Sequence, residues 1–469
     1  MKLIFSLFLI CSIYGTQSLG EILYSTVVSM PDDNQLFYTY LIDNNSSIVN
    51  EWEHSDCIAH TPYLTNDSVL VRSARVTPTF FNAGGVGGQI EKIDWEGNVL
   101  WNFVFSNTTH QQHHDIELLP NGNILFISFT RKTQEEALQA GKFQQTGDVW
   151  SESIFEIQPV ENDSAIIVWE WHLWDHLIQD RVPNADNYGS VLENPKLFDI
   201  NYMLSESDEG PLPPGFSNPD IVHLNAIDFC ESLDLIVVSS RVTSEIYIID
   251  HSTTTFEATG HSLGNYNSGG DFLYRWGNPI MYNRGTFDDR RLFAPHGVNW
   301  IDDCQSLMIF NNGQGRPDGN FSSVDVIQLP DLDNFGYELF DVDAFGPDSL
   351  SWYYADESLY SAIQSGAYRL KNNNTLITYT QPRIIREVDL DGNIIWEHIH
   401  AGNELVARAS KYNFRNGDIN FDGLTDILDI LGFVNFIINN DLYENIYDIN
   451  YDSYVDILDI IKLVNIILE

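Results

Sequence analysis

The sequence predicts a mainly β fold, a β-propeller whose four-stranded sheets repeat around a ring, and three observations carry that prediction. Strand-like runs recur after polar turns at "NGNILFISF" (121–129), "LDLIVVSSR" (233–241), "QSLMIFNNG" (305–313) and "NNTLITYTQ" (373–381), the pattern of hairpins. A second theme is a strand, an acidic turn and a strand ending in tryptophan. It recurs in "IEKIDWEGNVLWNF" (90–103), "IFEIQPVENDSAIIVWEW" (154–171), "EIYIIDHSTTT" (245–255) running on to "LYRWGNP" (273–279), and "IIREVDLDGNIIWEH" (384–398). Third, the region is aromatic-rich and almost free of helical periodicity. Radial closure leaves few strand edges exposed, so such self-similar units point to a propeller. A sandwich of two sheets is the alternative.

Taken in chain order, residues 1–20, "MKLIFSLFLICSIYGTQSLG", combine one lysine, a short apolar run and the small residues Ser18 and Gly20, the features of a signal peptide. A secreted protein is expected, periplasmic or extracellular. Residues 21–75 read as an N-terminal β-rich segment without a chemical signature, 76–400 as the propeller, 401–416 as a linker and 417–469 as a separate module. Cys11 leaves with the signal peptide, so Cys57, Cys230 and Cys304 remain, enough for one disulfide and one free thiol. Cys230 with Cys304 is the favoured pair because both occupy matching positions of the repeat.

The 23 basic and 67 acidic residues give a net charge of −44. A surface that negative repels nucleic acid and anionic lipid and suits solubility in a salty medium. No other apolar run reaches transmembrane length without a charge. Neither nucleic-acid binding nor membrane insertion is expected, and an anionic substrate must meet a locally cationic pocket.

Near residue 416 the composition changes. "GDINFDGLTDILDILGFVNFIIN" and "YDINYDSYVDILDIIKLVNIIL" are two copies displaced by thirty residues. Oxygen side chains fall at loop positions 1, 3, 5, 9 and 12: Asp418, Asn420, Asp422, Asp426 and Asp429, then Asp448, Asn450, Asp452, Asp456 and Asp459. The backbone carbonyls of Leu424 and Tyr454, at position 7, complete a shell for a hard cation, and two calcium ions are expected. The loops resemble those of a type I dockerin, in which one helix follows each loop. That resemblance implies docking onto a cohesin-like receptor. Ser453 stands where a turn glycine is usual, and Ile427–Leu428 and Ile457–Leu458 stand where many dockerins are polar. Another surface receptor is therefore an open alternative.

His114 in "HQQHHDIELLPNGN", His223 in "HLNAIDF" and His296 in "APHGVNW" each stand directly before a turn and strand of the repeat. Equivalent positions in successive blades converge on the central channel, so these imidazoles are expected to meet. Arg241 ends the strand eighteen residues after His223 and brings a forked cation to the same mouth. Three imidazoles can hold zinc with one open position, although a guanidinium beside a dication is repelled. They can equally transfer an anionic group. One neutral ring attacks, a second protonates the leaving oxygen, and Arg241 holds the anion's oxygens. The second chemistry is the expectation, with no transition metal in the propeller. No GxxxxGK[ST] occurs, so no nucleotide cofactor is expected. His172 and His176, four apart in "WEWHLWDH", suggest a helical metal pair but read better as a pocket rim, and Arg275 and Arg316 are candidate loop cations.

The segments "HHDIELLPNGN", "HLNAIDF", "LDLIVVSSRVTSEIYIIDHSTTT", "GGDFLYRWGNP", "FAPHGVNW", "IFNNGQGRPDGNFSSVDVI", "SGAYRLKNNNTLI" and "EVDLDGNIIWEH" occur in this order through residues 76–400. Together they resemble the bacterial arylsulfate sulfotransferase family. The resemblance implies a six-bladed propeller that moves a sulfuryl group from a phenolic sulfate donor to a phenolic acceptor by a ping-pong mechanism, without a nucleotide sulfate. It implies that His296 is the nucleophile that becomes sulfated, that His114 and His223 support it, and that Arg241 binds the sulfate. It further implies that Asn225 binds sulfuryl oxygens. Ser365 is a candidate backbone contact. Two rival classes stay open: an aryl sulfate hydrolase, and a non-catalytic attachment protein docked through its tail.

Overall fold

The structure, a computed structural model, describes residues 17–18, 20–28, 35–65, 67–202, 219–339, 343–412, 417, 419, 425–439, 447, 449 and 454–468. The expected signal peptide lies almost wholly outside them.

Six antiparallel sheets form the blades. Blade 1 contains Glu21–Val27, Phe37–Ile42 and Ile48–His54, with Leu405–Val406 and Ser410–Tyr412 paired onto Glu21–Val27. Blade 2 runs Ile58–Leu64, Leu70–Arg75, Gly88–Ile93 and Val99–Val104, and blade 3 runs His110–Leu118, Ile124–Lys132, Val149–Val160 and Ser164–His172. Blade 4 contains Leu224–Cys230, Leu235–Ser240, Glu245–Asp250 and Tyr274–Trp276. Blade 5 contains His296–Ile301, Ser306–Asn311, Ser323–Gln328 and Trp352–Ala355, and blade 6 contains Gly366–Arg369, Thr375–Tyr379, Ile384–Val388 and Ile394–Ile399. The ring closes because the two ends of the propeller share one sheet.

This differs from the sequence expectation at both ends. Residues 21–75 form blade 1 and half of blade 2, and the expected linker 401–416 supplies strands to blade 1. The reason is topological: a ring needs a chain end to pair with its other end, and that pairing has no local sequence mark.

The repeated tryptophan has a definite role. Each ring N–H donates across to the next blade: Trp52 to the Asp94 carbonyl (2.8 Å), Trp101 to Ser164 (3.0 Å), Trp169 to Thr253 Oγ1 (3.3 Å), Trp276 to Pro347 (2.9 Å), Trp352 to Leu390 (2.9 Å) and Trp396 to Asn44 (2.8 Å). Five of the acceptors are backbone carbonyls, and those of Asp94, Leu390 and Asn44 stand in acidic turns. Asp94, Asp389 and Asp43 fold them by accepting backbone N–H groups from Asn98, Asn393 and Ser47, as Asx-type turns do.

The core is correspondingly divided into wedges between neighbouring blades. Leu23, Trp52 and Leu70 fill one of them, and Leu307, Val298 and Ile248 fill another. A disulfide joins Cys230 of blade 4 to Cys304 of blade 5, leaving Cys57 as a buried thiol; both match the sequence expectation. Beyond the ring, helices Ile427–Asn439 and Ile457–Leu468 pack through Phe433 and Leu463 with Ile419 and Ile449. No helix among the described residues is long and apolar enough to cross a membrane.

Candidate active site

Four inner strands begin with a shift of register, between Ile58 and Pro62, Gln112 and Ile116, Leu224 and Ala226, and His296 and Val298. Such bulges re-aim side chains at a barrel or channel rim. His114 and His223 sit at φ +50° and +57°, and Ala294 and Gly297 flank His296 at +55° and +64°. Left-handed backbone at non-glycine residues is uncommon and is held only by its surroundings.

The outcome is a cavity of about 310 Å³ at one mouth of the channel, lined by His114, His223, His296 and Arg241 together with Cys57, Arg75, Gly85 and Gln364. The ring centroids of His114 lie 4.8 Å from His223 and 6.2 Å from His296. Loops up to 182 residues apart in sequence, from His114 to His296, thus meet as the sequence expects.

Each imidazole is oriented from behind. His296 Nδ1 lies 2.9 Å from Asn312 Oδ1, and the Asn312 amide N–H groups donate to the carbonyls of Ser361 (2.7 Å) and Gln364 (3.2 Å). The amide oxygen therefore faces His296, Nδ1 carries the proton, and Nε2 keeps its lone pair. His223 Nδ1 lies 2.6 Å from Asp220 Oδ2. His114 Nδ1 lies 2.9 Å from His113 Nδ1, and His113 Nε2 lies 2.9 Å from Glu152 Oε2. Glu152, His113 and His114 thus form a chain able to deliver a proton to, or withdraw one from, the His114 ring. His114 also rests against Gly85, where a Cβ would come within 2.1 Å of the ring.

Burial sets the charge states. It holds His296 well below the ordinary histidine range, with Arg241 and His60 adding to the effect. Burial likewise lowers His114, reinforced by His223, His113, His60 and His296. Both rings are neutral at neutral pH. Arg241 is brought down to about 10 by burial and remains a cation. Its guanidinium donates to the Ala362 carbonyl (2.8 Å) and to Gln314 Oε1 (2.6 Å).

Asn225 occupies a different place from the one expected. Its amide donates to the Pro295 carbonyl (2.8 Å) and accepts from Ser239 Oγ, and it is not among the cavity residues. In this position it fixes the peptide before His296. Ser365, at φ +79°, packs against Gly297. Arg275 is not a loop cation: it is fully buried, with Glu245 at 2.7 Å. Arg316 lies over the Phe321 ring.

Sequence reasoning missed His60, His113, Glu152, Asp220 and Arg408. His60, fully buried, stacks on His296 with ring centroids 6.4 Å apart and lies tilted to His114 at 6.0 Å. Its signal was present, because "IAHTPYL" places a histidine at the head of an inner strand as "APHGVNW" does. Arg408 pairs with Asp115 and donates to Thr61 Oγ1 (2.9 Å) beneath the histidines. Arg408 also lines a second cavity, together with Tyr63, Glu117 and Asp228.

In the C-terminal module, Asp426, Asp429, Tyr454, Asp456 and Asp459 lie among the described residues, while Asp418, Asn420, Asp422, Leu424, Asp448, Asn450 and Asp452 lie outside them. Asp429 and Asp459 are buried. Their carboxylates accept from the N–H groups of Asp426 (2.7 Å) and Asp456 (2.9 Å).

A sequence model of the family described as Arylsulfotransferase (ASST) matches residues 29–387. Among solved structures, the chain is similar to a protein of unknown function from Bacteroides caccae, at 11% identity over 84% of this chain and 100% of that one with a TM-score of 0.46. It is similar also to a periplasmic gluconolactonase of Pseudomonas aeruginosa, at 12% identity over 85% and 100% with a TM-score of 0.42. No curated protein matches.

Proposed function

The chain belongs to the arylsulfotransferase family, a sulfotransferase enzyme acting on phenolic donors and acceptors, and from that premise we propose a ping-pong mechanism through a sulfohistidine at His296. The observation that carries this reading is the convergence of His296, His114, His223 and Arg241 on one cavity. His296 Nε2 forms a bond to the sulfur of a phenolic sulfate ester as the S–O bond to the phenol breaks. The departing phenolate takes a proton from His223, or from the neutral His114 ring as that ring regains one through His113 from Glu152, whose carboxyl burial holds well above the ordinary carboxylate range. Arg241 holds the sulfuryl oxygens, where loss of one preorganised donor costs about 2.7–4 kcal/mol. A second phenol gives its proton to the same imidazole, attacks sulfur and breaks the N–S bond, restoring neutral His296. Asn225 acts in this scheme by positioning Pro295.

Release of p-nitrophenol from p-nitrophenyl sulfate, measured with and without added phenol, tests the proposal. Phenol-dependent release supports transfer, and phenol-independent release makes the protein a hydrolase. A folded protein that releases nothing on either arm contradicts both.

The disulfide suits an oxidising compartment, which supports export. In the tail, an all-oxygen donor set fits calcium. Asp426, Asp429, Asp456 and Asp459 would hold the ions there with the loop residues before them, fixing the loops ahead of their helices. Ile427, Leu428 and Leu431, and their repeats Ile457, Leu458 and Ile461, are all more than half exposed. Such a doubled apolar face supports docking to a cohesin-like or other surface receptor.

A further inference from the structure

His172 and His176 stand four apart in sequence, but their rings part. His172 Nδ1 lies 2.7 Å from Ser153 Oγ, whereas His176 turns inward to meet the loop that follows Glu245–Asp250. His176 Nδ1 lies 2.8 Å from Asp271 Oδ1, and His261 Nδ1 lies 2.7 Å from the same oxygen. One ligand atom from each of the three residues lies within 4.8 Å of the others.

The surroundings are built for this approach. His176 is fully buried with Trp171 stacked on it at 5.6 Å, and its Nε2 lies 2.9 Å from the Ala258 carbonyl. Gly270 lets the loop close on the ring, since a Cβ there would lie 2.5 Å from His176 Nε2 and 2.2 Å from the Ala258 oxygen. Both nitrogens of His176 therefore face oxygen acceptors. A ring with one proton, donated from Nε2 to Ala258, turns the lone pair of Nδ1 toward a carboxylate. A cation at that point satisfies the ring, the carboxylate and His261 together. A backbone carbonyl accepting the far N–H is also how metal-bound histidines are commonly oriented.

We propose that His176, His261 and Asp271 form a binding site for a first-row transition-metal dication such as zinc. Two imidazoles and one carboxylate suit such an ion, in contrast to the all-oxygen set of the tail. Bonds of about 2.0–2.2 Å at tetrahedral angles place ligand atoms about 3.3 Å apart, so the cluster opens by roughly half an ångström around the ion. The His261 side chain is 58% exposed, which leaves room for that movement and for water at the remaining positions. None of the three lines the cavity at the channel mouth, so the ion would staple the loop to the turn after blade 3. This proposal departs from the sequence expectation, which placed no transition metal in the propeller and read His172 and His176 as a pocket rim.

Cobalt(II) tests the site through its visible bands. The full chain, freed of metal by a chelator and returned to calcium-containing buffer, is titrated with Co²⁺. The expected result is a visible band saturating near one equivalent and a rise in melting temperature, both lost in His261→Ala and Asp271→Asn and both kept in His172→Ala. Turnover of p-nitrophenyl sulfate by His261→Ala should equal that of the parent, which separates this claim from the transfer reading. Absence of the band, or a band that survives in His261→Ala, would overturn the proposal and leave the three residues an ion-paired clasp.

Discussion

His296 Nδ1 lies 2.9 Å from Asn312 Oδ1, and this contact puts the ring proton on Nδ1 and leaves the lone pair on Nε2. Because Asn312 spends its N–H groups on two carbonyls, it can offer His296 only its oxygen. Asn312→Ala should lower kcat with p-nitrophenyl sulfate by about 100-fold, the scale of a displaced reacting group. Asn312→Asp should favour the imidazolium and move the acid limb of the rate profile to higher pH. An unchanged limb would show that Asn312 does not face the reacting ring.

Gly85 tests the placement of His114. A Cβ at Gly85 would lie 2.1 Å from the imidazole, whereas Gly97, also at positive φ, has open space around it. Gly85→Ala should therefore reduce kcat while Gly97→Ala does not, although both put alanine at positive φ, +64° and +91°. Equal kcat for the two variants, measured against equal folding by circular dichroism, would remove His114 from the reaction.

What the sequence made legible is what repeats. The strand and acidic-turn theme marks the blades because each blade presents an oxygen acceptor to its neighbour's tryptophan. His114, His223, His296 and Arg241 are legible because each sits at a fixed place beside an apolar strand. Blade 1 carries the same mark in "LIDNNSSIVNEWEH", with Trp52 in its place, but the strand that completes the blade comes from the far end of the ring. The supporting groups were hidden for a related reason. Glu152 reaches His113 and Asn312 reaches His296 across strands, and such pairings have no local spacing. Asn225 shows the converse: a position can match a motif while its amide bonds the Pro295 carbonyl and the Ser239 hydroxyl.

Acid should weaken the fold. Burial lowers His54 to about 2, and burial first, then charged neighbours, lowers His60, His113, His114 and His296 below the ordinary 6.5. The native state keeps these rings neutral while the unfolded chain binds protons, so stability is full above pH 6.5 and falls below it. Each ring contributes up to about 1.4 kcal/mol per pH unit. Urea unfolding at pH 7.5 and 5.5 should show the fall, and His296→Gln should make it shallower. A stability independent of pH over that range would contradict buried neutral rings.

Arg408 should be indispensable to the ring. It is buried against Asp115, which is fully buried, and breaking such a pair on one side costs about 3–5 kcal/mol. Arg408→Met should destabilise by that amount, and adding Asp115→Asn should recover part of it. Additive losses in denaturant melts would mean that the two groups do not depend on each other.

Trapping the covalent intermediate bears on the central claim most directly. The protein is incubated with a phenolic sulfate and no acceptor, quenched in alkali, digested and analysed by mass spectrometry. One added sulfuryl group is expected on the peptide carrying His296, discharged on adding phenol and absent in His296→Asn. A modification on another residue, or full turnover by His296→Asn, would contradict it.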